Sequence, residues 1–130
     1  LDFSNETVND TQKKIVAVAT NSAKYGISAR SGYCQAWVAD VYQAVTGSRG
    51  SAHCALCAAD MWAVSSDFSQ IPVGATVYGY SSSKYGHVGI YIGNGMVAHN
   101  IGEIKIQSLE SWVKNYKGFA WGWENGYIKE

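Results

Sequence analysis

At Pro72 the spacing of apolar residues changes period, and that change limits the folds open to this chain. Before it, apolar side chains recur three and four apart; after it, they alternate. Asn9 and Gln12 make a capping-box pair, and Ile15, Val18, Ala19 and Ser22 follow at helical spacing toward Gly26, which predicts a helix over 10–24. Trp37, Val38, Val41, Tyr42 and Val45 mark the inward face of a second helix that stops at Gly47. Cys54, Cys57, Ala58 and Met61 predict a third, over 52–63. Beyond Pro72, Val73 to Tyr80 reads as a strand, Gly86 to Asn100 as a hairpin and Ile101 to Gln107 as a further strand. Ser108 is placed to cap a short helix through Tyr116, and Phe119 to Trp123 closes the sheet. Helices first and then a small antiparallel sheet is an α+β pattern.

A chain of 130 residues, 47% hydrophobic and 15% charged, supplies one core and not two, so 1–130 reads as a single domain. Ten basic and ten acidic residues cancel without any run of like charge, which argues against a nucleic-acid partner. Apolar stretches are interrupted well short of the roughly 20 residues a bilayer span needs. Leu1-Asp2-Phe3-Ser4 is not a natural start, so a mature form or a domain cut from a longer protein is expected. Five Trp and nine Tyr exceed the needs of so small a core, and some are expected along a groove.

Cys34 stands where a Gly-containing break, Ser31-Gly32-Tyr33, gives way to an apolar helical run. At a helix start a thiolate faces unpaired N–H groups and the positive end of the helix dipole, so a thiol pKa lowered toward neutrality is expected. Cys34 is therefore a candidate nucleophile. Its candidate partners are the hairpin histidines, His87 and His99. Alternation puts His87, Gly89 and Tyr91 on one face and Val88, Ile90 and Ile92 on the other. A two-residue Asn94-Gly95 turn sets His99 opposite Ile90, away from His87; a three-residue Gly93-Asn94-Gly95 loop sets it opposite Gly89, on the face of His87. Only the second register builds a site, and Gly89 then leaves room for two imidazoles. A cysteine at a helix start with histidines on later strands is the order of a papain-like hydrolase.

The run His87-Val88-Gly89-Ile90-Tyr91-Ile92-Gly93-Asn94-Gly95, with a second histidine at His99, resembles the signature of the NlpC-type cysteine peptidases that cut bacterial peptidoglycan. Gly32-x-Cys34-x-x-Trp37-Val38 is similar, more loosely, to CHAP amidases. The resemblance covers 24–100. It implies a papain-like α+β fold with the nucleophile at a helix start packed on a small antiparallel sheet. It also implies Cys34 as nucleophile, His87 as general base and His99 as the residue that orients His87, with Asn100 the alternative if the register turns it inward. The family usually places Asp before the nucleophile and Ser-Gly after it, whereas here Tyr33 precedes and Gln35-Ala36 follow. Tyr33 and Gln35 are read as substrate-side residues, and Tyr25 is matched to the family's substrate-side tyrosine.

The implied reaction is thiolate attack on an amide of the peptidoglycan stem peptide through an acyl-enzyme, with no cofactor and no metal. D-glutamyl-diamino acid endopeptidase is the first reading. An N-acetylmuramoyl-L-alanine amidase, an acyltransferase relative and a non-catalytic cell-wall binding module are the rivals. Bacterial peptidoglycan is the implied partner, the setting extracellular or in the cell wall, and the chain a monomer; an inhibitor or immunity protein stays open. Three readings are kept for Cys54 and Cys57: core packing on a short helix, which leads, a local disulfide, or a zinc site with His53. Trp121 and Trp123 are expected to share one strand face.

Overall fold

In the computed structural model, which describes residues 8–81 and 85–127, Asn9 and Gln12 exchange the two hydrogen bonds of a capping box, each at 2.8 Å. The box starts α1, Asp10–Thr20. The expected run to 24 breaks earlier, because the Thr20 hydroxyl and the Asn21 amide donate to the Val16 and Ala17 carbonyls. Side chains that claim those acceptors compete with helix continuation. A 3-10 turn, Ser22–Tyr25, carries the chain on to Gly26. Helix α2, Cys34–Thr46, ends at a left-handed Gly47, and α3, Ala55–Trp62, is shorter than 52–63 because Cys54 is its N-cap.

Six strands follow: β1 Ala63–Ser65, β2 Thr76–Tyr80, β3 His87–Gly93, β4 Met96–Asn100, β5 Ile104–Ser108 and β6 Gly118–Gly122. Between β5 and β6 lies α4, Leu109–Val113, whose N-cap Ser108 accepts from Ser111 N–H as its position indicates. The sheet order is β1-β6-β2-β3-β4-β5, and every pairing is antiparallel. The α+β class and the order of helices before sheet are those read from the sequence. Strand β1 is not anticipated by it, since three residues carry too little alternation to register. The two tryptophans also part company: β6 ends at Gly122, so Trp123 turns in against Tyr127 while the half-buried Trp121 donates its indole N–H to the Asp67 carbonyl at 2.8 Å.

The β3–β4 hairpin decides which face the histidines share. Gly93 pairs with Met96 across a two-residue turn in which Asn94 (φ 54) and Gly95 (φ 70) are both left-handed, as the twist of a tight hairpin demands. A bulge then leaves Ile92 without a partner, and Tyr91 faces Val97 and Ile90 faces Ala98. Carried one step further, that register puts Gly89 opposite His99. The register is thus the site-building one, reached by a two-residue turn plus a bulge inside the strand and not by a three-residue loop.

Val88, Ile90 and Ile92 have no exposed surface, and they meet Ile15 and Val18 of α1 and Trp37, Val38 and Val41 of α2 in one core. Each such side chain contributes roughly 1.5–3 kcal/mol by leaving water. Helix α2 is thereby clamped between α1 and β3. The Tyr42 hydroxyl donates to the Gly74 carbonyl, and the Gln12 amide donates to Val73 at 3.0 Å, which ties the helices to the chain entering β2. Among the described residues no helix is long and apolar enough to cross a membrane.

Candidate active site

Cys34 is the first residue of α2, half-buried, with its free thiol at the bottom of a groove of about 590 Å³. Tyr33 occupies the N-cap position but makes no side-chain cap bond, so the N–H groups of the first helical turn remain open to another acceptor. One wall of the groove is Ser31-Gly32-Tyr33, and Asn100-Ile101 lies beside it. Gln35-Ala36, His53-Cys54-Ala55 and Tyr85-Gly86-His87 complete the lining.

Burial pushes the Cys34 thiol above its ordinary value, while backbone groups of Val88, Gln35 and Cys34 itself pull it back only in part. This corrects the expectation of a lowered thiol: at this helix start desolvation outweighs the dipole and the N–H groups. Burial, with the neighbouring His99 as a second cause, lowers His87 to about 4. At neutral pH the resting pair is therefore a neutral thiol and a neutral imidazole. That favours proton transfer during attack over a standing thiolate–imidazolium pair.

Behind the groove the imidazoles form a chain. His87 Nε2 lies 2.8 Å from His99 Nδ1, and His99 Nε2 lies 2.7 Å from Gln107 Oε1. The two rings meet edge to face at 5.0 Å. This close approach needs Gly89, where a Cβ would come within 3.1 Å of the His99 Cβ and 3.0 Å of the Ala98 carbonyl. Trp112, fully buried on α4, packs against both imidazoles. Tyr116 lies nearly parallel to the His87 ring, at 17°, and sits over Gly79, the register partner of His87. Burial first, and then the charge of Cys34, raise the Tyr116 hydroxyl to about 12, so it stays protonated.

Among the residues read from the sequence, Cys34 and His87 meet in one groove and His99 stands behind His87. Asn100 points elsewhere: its amide donates to the Arg30 carbonyl at 2.8 Å and its Oδ1 accepts from Gly102 N–H, which fastens the loop ahead of Cys34. Tyr33 is exposed at the groove rim with the Arg30 guanidinium 4.2 Å above its ring. Gln35 also lines the groove, but it is 3% exposed and its amide donates to Glu124 Oε1 at 2.8 Å, which ties the helix start to the turn after β6. Tyr25 lies on the exposed 3-10 turn and is not among the residues lining the groove. Cys54 and Cys57 form a disulfide with Cys57 exposed, which overturns core packing and removes both sulfurs from any zinc set.

Gln107 and Tyr116 are the neighbours that sequence reading missed. Tyr116 follows a five-residue helix that packs back on the sheet, a contact without local signature. Gln107 is reached diagonally across β4–β5, where His99 pairs with Lys105 and Val97 with Gln107. The alternation of Ile104 to Ser108 puts Lys105 and Gln107 on one face, but the β4–β5 register needed to assign that face is tertiary information.

A cysteine at an open helix start, a histidine in the same groove and a second histidine behind it, on helices packed against an antiparallel sheet, are arranged as in a papain-like fold. Solved NlpC/p60 domains share the fold. The NlpC/p60 domain of the peptidoglycan hydrolase SagA superposes with a TM-score of 0.61 at 25% identity, covering 87% of this chain and 97% of that one. An NlpC/p60 family protein from Bacillus cereus ATCC 10987 gives 0.56 at 16% identity over 80% of this chain. A protein described as similar to lipoprotein, NLP/P60 family, from Staphylococcus aureus subsp. aureus Mu50 gives 0.61 at 19% identity over 96% of this chain. The chain spans only 39% and 46% of those last two proteins, and at their identities the likeness is one of fold. No protein-family model and no curated sequence matches the chain.

Proposed function

We propose that this chain is a cysteine peptidase that hydrolyses an amide bond in the stem peptide of bacterial peptidoglycan, acting at the cell wall as a single catalytic domain. The observation that carries the reading is the placement of the Cys34 thiol and His87 in one groove with His99 on the far nitrogen of His87. The SagA domain, which belongs to a peptidoglycan hydrolase, supports the choice of substrate.

His87 Nε2 is engaged by His99, which leaves Nδ1 to take the thiol proton. Cys34 Sγ attacks the amide carbonyl carbon, and the open N–H groups at the start of α2 hold the developing oxyanion. Collapse expels the amine, protonated by His87, and leaves a thioester. Water, deprotonated by His87, then opens the thioester and restores the thiol. Tyr33 and Tyr85, both exposed where the groove opens, flank the bound stem peptide.

Within this class the preferred bond is the one between D-glutamate and the diamino acid. Mass spectrometry of purified peptidoglycan after digestion by the protein and by Cys34→Ala tests it. A new free amine on the third stem residue, absent with the variant, is the expected result. New L-alanine amines with intact glycan make the protein an amidase instead, and no new ends from several wall types leave a wall-binding module.

A further inference from the structure

We propose that Gln107 is a positioning residue that sets the tautomer of both histidines, so that the lone pair of His87 lies on the nitrogen offered to Cys34. The inference rests on the catalytic reading of the groove and extends it two side chains outward. A glutamine amide is polar in one direction: its oxygen only accepts and its nitrogen only donates. Here Gln107 Nε2 donates to Ser111 Oγ at 3.1 Å, and Oε1 faces His99 Nε2 at 2.7 Å. His99 Nε2 must then carry a proton. A neutral His99 so protonated has its lone pair on Nδ1, which accepts from His87 Nε2–H across 2.8 Å. A neutral His87 so protonated has its lone pair on Nδ1. The whole chain thus runs one way, from His87 through His99 to Gln107, and ends on the base that Cys34 needs.

Without the Gln107 oxygen the opposite order becomes available. His99 protonated on Nδ1 would donate to His87 Nε2, and His87 would then hold its proton on Nδ1, with no lone pair for the thiol. Both rings are largely dry and neutral near pH 7: burial lowers both, and the Lys105 charge lowers His99 further against the Gln107 hydrogen bond, so neither ring carries a charge of its own that would settle the choice. Ser111 sits on α4, one residue from the Trp112 that packs against both rings, so one short helix supports the rings and the amide together.

The test uses Gln107→Leu, which keeps the volume and removes the oxygen, and Gln107→Glu, which keeps an acceptor and adds a charge. Nitrogen NMR of the imidazoles, recorded without substrate in a Cys34→Ala background, is expected to show His87 protonated at Nε2 and bare at Nδ1, and that order is lost with Gln107→Leu. For wall digestion, Gln107→Leu lowers kcat on the order of 10–100-fold with KM unchanged. Gln107→Glu favours a charged His99, whose Nδ1–H then donates to His87. Its activity therefore matches the parent at alkaline pH and is lost on the acid side, at a higher pH than in the parent. A side chain that only fills space would not separate the two variants by pH. A His87 found protonated at Nδ1, or a Gln107→Leu protein with unchanged tautomers and an unchanged pH profile, overturns the proposal. The nitrogen spectra need no turnover, so they decide it even where digestion shows the chain not to be a hydrolase.

Discussion

At the residue scale the site depends on groups held neutral by burial. The ordinary histidine value is 6.5 and His87 is lowered to about 4, so between those limits the unfolded chain takes up a proton that the folded one refuses. Stability is intact above 6.5 and falls as the pH drops toward 4, by on the order of 2–3 kcal/mol from this group. Denaturant midpoints at neutral pH and near pH 4 check it: the parent loses stability on acidification, and His87→Gln loses much less. Gly89 tests the geometry. An added Cβ meets Val97 Cγ1 at 2.7 Å and the Ala98 carbonyl at 3.0 Å. Gly89→Ala is expected to cost about 1–3 kcal/mol and to abolish digestion while the protein still folds, as circular dichroism and the wall assay would show. Legibility at this scale was uneven. That Cys34 and His87 share a groove and that His99 stands behind His87 was readable because a cysteine at a helix start and a histidine-bearing hairpin have local signatures. The tie from Gln35 to Glu124 was not legible, because the two lie 89 residues apart in the chain.

Elements bring these residues into range. Helix α3 delivers Cys54 to the groove wall, with the Leu56 N–H bonded to the Tyr85 carbonyl across it, and the Cys54–Cys57 disulfide closes the first turn of that helix. Alkylation of the native protein is expected to label Cys34 alone, and all three cysteines after reduction and unfolding, as mass spectrometry would count. So short a loop makes the bond worth about 2 kcal/mol in the chain-entropy picture, and reduction should lower the unfolding midpoint accordingly. The pair was left open between packing and disulfide because a spacing of three suits a helix face and a bridged first turn equally. In the hairpin, Asn94-Gly95 announced the turn, but the bulge at Ile92 that restores the histidine face has no sequence mark.

Across the whole molecule, Glu124 joins the two ends of the fold. It has no exposed surface, takes the Gln35 amide at 2.8 Å, and its Oε2 has no partner among the described residues. Burial raises its carboxyl above the ordinary 4.5, with the Gln35 hydrogen bond and the Arg49 charge opposing. A group raised in this way stabilises the fold at low pH and loses that contribution as the pH rises. Glu124→Gln is therefore expected to gain stability over the parent from acid to neutral pH, whereas Glu124→Ala, which strands the buried Gln35 amide, costs about 1–3 kcal/mol. Equilibrium unfolding across that range separates the two. The sequence by itself determined the helix-then-sheet order, the capping box of α1, the glycine stop of α2, the cysteine at a helix start and the two hairpin histidines, because each is written locally as period, cap or motif. Only the tertiary structure decided the β4–β5 register that delivers Gln107, the seat of Tyr116 over Gly79, the burial of Gln35 against Glu124 and the raised thiol. Those depend on contacts between distant segments and on the exclusion of water, which no local pattern encodes.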